Sequence, residues 1–160
     1  MKSDALHRTI RAVLTGKGAH AATREIFDGL DWKLAGARPP GSPHSAYQLL
    51  EHMAYWQEWV VQWLDGDDPA TPKHAAGGWP GGQRPATAAD WRRAVTRFRR
   101  TLAALERHSR GDDLLAKPGD KTVLEMLQAI GSHNSYHAGQ VALLRQVLDA
   151  WPPPSGGLTW

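Results

Sequence analysis

The segment from Thr122 to Asp149 carries an apolar seam with the alternating three-and-four spacing of a single helix face. The seam consists of Val123, Met126, Ile130, His133, His137, Val141, Leu144 and Leu148. This spacing is typical of the inward face of a bundle helix, so we expect the segment to be helical and the seam to be buried. Two histidines interrupt the seam in adjacent turns. Because residues i and i+4 project from one face about 6 Å apart along the axis, both rings can reach one ion.

Three further segments have apolar residues at the same spacing. They cover residues 4–14 with a continuation over 19–30 after Gly16 and Gly18, residues 45–64, and a third helix that begins at Thr87 or Asp90 and runs to about residue 108. Ser45 is placed to cap the second helix, and Thr122 with Glu125 forms a capping box for the fourth. The sequence shows no strand-like alternation, internal repeat or glycine-rich phosphate motif. It therefore predicts an all-α four-helix bundle that forms one domain over residues 1–160.

The composition narrows the classes of function. The chain has no cysteine, so histidine and carboxylate side chains must supply any metal ligands. The formal net charge of +3 is small, and no recognition motif accompanies the five arginines of the third helix, so we expect a solvated polar face and no nucleic-acid partner. Because there is no run of about 20 apolar residues and no signal peptide, we expect no membrane partner and a cytoplasmic location.

A third histidine, on the second helix, is the best candidate to complete the pair. His52 lies one turn from Leu49 and from Trp56, on or beside the apolar face of that helix. With the two histidines of the last helix it would form a three-imidazole site with open positions, the pattern of a catalytic metal centre. Imidazole suits zinc, nickel, iron or copper, and we favour zinc or nickel. The alternative is that each histidine is an ordinary core residue satisfied by hydrogen bonds.

Residues beside these histidines are candidates for supporting contacts. Gln140 follows the second histidine of the pair by almost one turn, and Tyr136 precedes it; either is a candidate to contact a ligand residue or the substrate. Tyr136 should point partly sideways, so an ordinary packing role explains it as well. Glu51 is a candidate to orient an imidazole through its second nitrogen, although an exposed charge explains it as well. Trp56 is a candidate to wall the pocket or to pack in the core. Gly139 is expected to permit close helix approach, since a mid-helix glycine otherwise costs about 1 kcal/mol relative to alanine.

The connection over residues 67–85 is rich in glycine and proline and has no periodicity. A connection of this length inside a compact domain is often functional. It contains His74, while His44 precedes the second helix. We expect both of these histidines to face water.

The run His133-Asn-Ser-Tyr136-His137-Ala-Gly139-Gln140 resembles the HxxYHxGQ signature of the DinB-like (DinB/YfiT) superfamily of metal-binding four-helix bundles. The upstream segment PPGSPHSAYQLLEHMAYWQ is similar to the second-helix segment of that family, whose histidine corresponds here to His52. The resemblance implies a divalent ion held by three histidines, one from the second helix and two from the last.

The same resemblance implies a range of activities. Members of the family include thiol S-transferases, a mycothiol-dependent isomerase and proteins described as metal-dependent hydrolases. We expect a metal-dependent enzyme that activates a low-molecular-weight thiol, as co-substrate, for transfer to a small-molecule electrophile, or that activates water for hydrolysis. Apart from Glu51, the sequence offers no carboxylate base near the histidines, which favours thiol transfer. The alternative is a non-catalytic, stress-associated bundle that binds a metal or ligand. An apolar surface on the first or last helix would suit a homodimer, as in relatives.

Overall fold

The computed structural model describes residues 2–157, with side chains over residues 4–157. The helices are α1 (Lys2–Thr15), the single-turn α2 (Trp32–Ala35), α3 (Ala46–Leu64), α4 (Ala88–His108) and α5 (Val123–Val147). Short 3-10 turns occupy Thr23–Glu25 and Ala75–Gly78. No strand occurs in the described part of the chain, and the predicted all-α class is confirmed.

The four long helices pack as a bundle. α3 lies against α4 and α5, and α1 lies against α5 and α4, so the order around the bundle is α1, α5, α3, α4. Buried side chains from all four helices fill the interior, among them Leu14, Met53, Phe98, Leu105 and Leu127. Because α3 and α5 are adjacent, His52 of α3 lies opposite His133 and His137 of α5. Within residues 2–157, none of the helices combines the length and the apolar composition that a membrane span requires.

Local capping sets the ends of the long helices. Ser45 caps α3, as predicted, and does so in a capping box with Gln48. The predicted capping box of Thr122 with Glu125 is present at the start of α5. α3 ends at Leu64, as the predicted range has it, and Gly66 just beyond it has a φ of 95°. The last helix ends at Val147, slightly before the predicted end.

The predicted helical continuation over residues 19–30 is wrong. Gly16 and Gly18 both adopt left-handed backbone angles after α1, and the segment beyond them contains only the 3-10 turn Thr23–Glu25. Its apolar residues Ala21, Ile26, Phe27 and Leu30 are nevertheless buried in the core. The Ile26 carbonyl accepts a hydrogen bond from the buried Arg145 of α5 at 2.7 Å. The apolar residues of this segment are therefore buried in a packed loop, although their spacing imitates a helix.

The close approach between helices occurs at a different glycine from the one expected. Gly139 is exposed, and a Cβ built there meets no heavy atom within 4 Å. Gly131 is buried against α1, where a Cβ would lie 2.6 Å from Cγ1 of Val13 and 3.3 Å from its backbone. The α1–α5 contact therefore depends on Gly131.

Candidate metal centre

The three histidines singled out in the sequence lie together between α3 and α5. His52 comes from α3, and His133 and His137 come from adjacent turns of α5. One nitrogen from each ring lies within 4.8 Å of the others. The Nε2 atoms of His52 and His133 are 3.1 Å apart, and the ring centroid of His137 lies 4.8 Å from that of His52 and 4.5 Å from that of His133.

Hydrogen bonds fix the protonated nitrogen on two of the rings. Nδ1 of His52 donates to the carbonyl oxygen of Gly78 at 2.7 Å, and Nδ1 of His137 donates to Oε1 of Gln140 at 2.6 Å. Because a carbonyl oxygen only accepts, each ring must carry its proton on Nδ1, which leaves Nε2 unprotonated. Metal-binding histidines are typically oriented in this way.

Burial keeps the rings uncharged at neutral pH. Desolvation lowers the pKa of His52 and the pKa of His133 to about 4, and it also lowers the pKa of His137. The neighbouring imidazoles act in the same direction, because a positive charge on one ring disfavours protonation of the next. The cluster therefore presents neutral nitrogen donors near pH 7.

This donor set fits a divalent ion of the zinc type. Zinc–imidazole bonds of about 2.0–2.1 Å in tetrahedral geometry place ligand nitrogens about 3.3 Å apart, close to the 3.1 Å between the Nε2 atoms of His52 and His133. Nδ1 of His133 is also buried, and no atom of residues 4–157 forms a hydrogen bond of regular geometry with it. Three neutral imidazoles suit zinc or nickel better than calcium or magnesium, which prefer oxygen ligands.

The loop over residues 67–85 covers one side of the site. Trp79 follows the 3-10 turn that supplies the Gly78 carbonyl, and its ring stacks on His52 with centroids 3.8 Å apart. The opposite face of the indole stacks on His44 at 3.7 Å. Gly78 packs so closely on Trp56 that a Cβ there would lie 2.9 Å from the indole Nε1.

Sequence reasoning missed the Trp79 stack. The sequence feature that could have indicated it is an aromatic residue inside a long glycine- and proline-rich connection. The expectation that His44 faces water is wrong, because its ring lies on the indole and its Nδ1 is buried. His74, by contrast, is exposed, as expected.

The other predicted neighbours occupy different places around the rings. Gln140 accepts the hydrogen bond from His137, and Trp56 makes an edge contact with His52 at a centroid distance of 6.4 Å. Tyr136 is 67% exposed, although its ring lies 5.0 Å from that of His137. Of these three side chains, only Gln140 makes a polar contact with a histidine of the site.

Glu51 has another partner. Its carboxylate accepts a hydrogen bond from Arg97 of α4 at 2.8 Å, and the same guanidinium binds Glu58. Because adjacent helical residues lie about 100° apart around the axis, Glu51 faces α4 while His52 faces α5. Glu51 therefore does not orient an imidazole, the role that the sequence suggested for it. The carbonyl groups of Gly78 and Gln140 accept the hydrogen bonds from the rings of His52 and His137. Other arginines of α4 also pair with carboxylates, as Arg99 does with Asp28.

A family model described as the DinB superfamily matches residues 17–141, more than half of the chain. The matched range contains all three histidines, the loop that covers them and most of α5. Searches of curated proteins and of solved structures gave no match.

Proposed function

Because the chain belongs to the DinB superfamily, we propose that it is a metal-dependent enzyme of the thiol S-transferase type. In this proposal His52, His133 and His137 hold a zinc or nickel ion. The sulfur of a low-molecular-weight thiol displaces a leaving group from a small-molecule electrophile: a C–S bond forms, the leaving group departs with its bonding electrons, and the thiol proton passes to solvent. The observation that carries the proposal is the convergence of three neutral imidazoles from two helices within 4.8 Å.

The protein's own side chains have distinct tasks in this scheme. A divalent ion held by the three imidazoles would lower the pKa of a thiol or water bound to it. The Gly78 carbonyl and Gln140 hold the rings of His52 and His137 in the required tautomer. Trp79 covers the face of His52 and excludes water from that side.

The surroundings favour a thiol over water as the nucleophile. Hydrolysis needs a general base within hydrogen-bonding reach of the attacking water. Within the described residues, no carboxylate joins the histidine cluster, and the Glu51 carboxylate is held by Arg97. A thiol has an ordinary pKa of about 8.5, so it loses its proton near a cation without help from a protein base.

The test measures metal binding and turnover on the same preparations. Chelator-treated protein is reloaded with zinc or nickel, binding is followed by calorimetry, and turnover is assayed with cysteine, glutathione or mycothiol and chlorodinitrobenzene as the electrophile. We expect metal-dependent conjugation of at least one thiol. His133→Ala and His137→Ala should lower metal affinity at least about tenfold and abolish turnover, since each removes one ligand of three. His74→Ala, which removes an exposed histidine, should change neither.

Three results would contradict the proposal. Turnover that persists in His137→Ala would separate the activity from the histidine cluster. Ester hydrolysis by the metal-loaded protein without any thiol would favour the hydrolase type. Tight metal binding with no turnover of any thiol or ester would favour a non-catalytic metal-binding bundle.

A further inference from the structure

A cleft of about 330 Å³ lies between the loop that precedes α3 and the C-terminal half of α5. Its walls are mainly apolar and include Pro39, Pro43, Leu49, Leu143, Leu144 and Val147. In the described part of the chain, no aspartate, glutamate, lysine or arginine lines it. Its volume falls at the low end of the range of about 300–1,000 Å³ found for small-molecule sites.

The cleft shares side chains with the surroundings of the metal centre. Gln140 lines the cleft, and its Oε1 holds Nδ1 of His137, so the Nε2 of its amide remains as a donor. His44 also lines the cleft, and its ring lies on the Trp79 indole that covers His52. Nδ1 of His44 is buried, and the described residues offer it no hydrogen-bond partner. One end of the cleft is therefore polar and adjoins the histidine cluster.

The outer part of the cleft exposes apolar surface to water. Leu143 is 61% exposed and Val147 is 58% exposed, one turn apart on α5. Contiguous exposed apolar surface beside a concave site commonly marks a place where a ligand is bound. A ligand in the cleft would remove these side chains from water.

We propose that the cleft binds the uncharged, apolar part of the electrophilic substrate, either a short alkyl chain or a single ring. A carbonyl or hydroxyl group at the inner end would hydrogen-bond to the amide of Gln140. A carboxylate or ammonium group in the cleft would lose its hydration without gaining an opposite charge, so the cleft selects neutral compounds. The proposal rests on the proposed function for the reaction that follows binding, whereas binding itself can be measured without turnover.

The test is calorimetry of the metal-free full chain, in which a carboxylate has no metal ion to coordinate, with butanol, pentanol and hexanol, and with hexanoate as the charged counterpart. We expect affinity to rise about three- to fourfold with each added methylene group, as burial of apolar surface requires. Hexanoate should bind at least about tenfold more weakly than hexanol. Leu143→Asp should lower hexanol affinity to a similar extent. Leu115→Asp is the matched control, since Leu115 is 62% exposed and does not line the cleft, and it should leave hexanol affinity unchanged.

Equal affinity for hexanol and hexanoate, or unchanged hexanol binding in Leu143→Asp, would overturn the proposal. Sedimentation velocity on the same proteins tests a second copy of the chain as the occupant. A wild-type dimer that Leu143→Asp converts to a monomer, with no hexanol binding by either, would also overturn it. Because the experiment measures alcohol binding, an absence of turnover would count against the proposed function but not against the binding of neutral ligands in the cleft.

Discussion

Trp79 lies flat on His52, with ring centroids 3.8 Å apart and ring planes 8° apart. The neighbouring Gly78 carbonyl accepts the hydrogen bond from Nδ1 of the same imidazole. One loop therefore holds His52 through its face and through its edge. This double contact fixes the plane of the ring and the position of its Nε2 lone pair toward α5.

Removing the indole should weaken metal binding. Trp79→Ala is expected to lower zinc affinity about tenfold, because a partner that orients a ligand typically contributes tenfold or more. Trp79→Phe keeps a flat ring over the imidazole and should retain most of the affinity. Competition calorimetry with a chelator of known affinity measures both. Wild-type affinity in Trp79→Ala would mean that the hydrogen bond to Gly78 alone positions the ring.

The acceptor on His137 provides a second test. Gln140→Leu removes the oxygen that holds the proton on Nδ1, so the ring can turn or change tautomer, and zinc affinity should fall about ten- to a hundredfold. Gln140→Glu keeps an acceptor and should bind zinc at least as tightly as the wild type. Gln146→Leu changes an exposed glutamine on the same helix and is the control. Equal losses in both leucine variants would indicate damage to α5 rather than to the ring.

Local signals explain why much of the architecture could be predicted. The starts of α3, α4 and α5 follow from Ser45, Thr87 and Thr122, whose side chains bond to backbone groups only three residues away. The spacing of His133 and His137 likewise needs only helical periodicity. Apolar periodicity alone wrongly predicted a helix over residues 19–30. The left-handed Gly16 and Gly18 end the helix before this segment, while its apolar residues remain buried.

The support around the rings could not be predicted in the same way. Gly78 acts through a backbone carbonyl, which any residue possesses, and Trp79 reaches His52 from a loop without periodicity. Glu51 was a reasonable candidate by proximity in sequence, but one residue along a helix is a rotation of about 100°. Its carboxylate therefore meets Arg97 of α4.

Substitution of Glu51 tests whether its carboxylate supports the histidine site or only pairs with Arg97. Glu51→Gln should leave zinc affinity within about twofold of wild type, since the carboxylate bonds to Arg97 and the imidazoles of His52 and His137 have other acceptors. The free energy of unfolding should fall by about 1 kcal/mol or less, because the pair is partly exposed and Arg97 keeps Glu58. Urea denaturation and zinc calorimetry check the two values. A tenfold loss of zinc affinity would instead show that Glu51 helps to orient the histidine ligands.

Acid should destabilise the metal-free protein through the buried imidazoles. The pKa of His52 and that of His133 are lowered to about 4 in the folded protein from an ordinary value of 6.5. Between these values the unfolded chain binds more protons than the folded chain, so the free energy of unfolding falls as the pH drops from 6.5 toward 4. Above pH 6.5 none of this unfolding free energy is lost, and below about pH 4 no more of it is lost.

Urea denaturation across this window measures the effect. His133→Gln should reduce the loss of stability on acidification, because the unfolded chain then has one fewer histidine to protonate while the folded site buries no imidazole at that position. His74→Ala should keep the wild-type profile, since that histidine is exposed. Identical pH profiles in all three proteins would contradict the assignment of the effect to the buried cluster.

Two glycines on α5 provide a matched test of helix packing. A Cβ on Gly131 would lie 2.6 Å from Cγ1 of Val13, whereas a Cβ on Gly139 meets no heavy atom within 4 Å. Gly131→Ala should therefore destabilise the protein by about 1–3 kcal/mol through overpacking, and Gly139→Ala should stabilise it by up to about 1 kcal/mol through helix propensity. Urea denaturation measures both, and Val13→Ala added to Gly131→Ala should recover part of the loss. Equal effects of the two single substitutions would contradict the close packing of Gly131 against Val13.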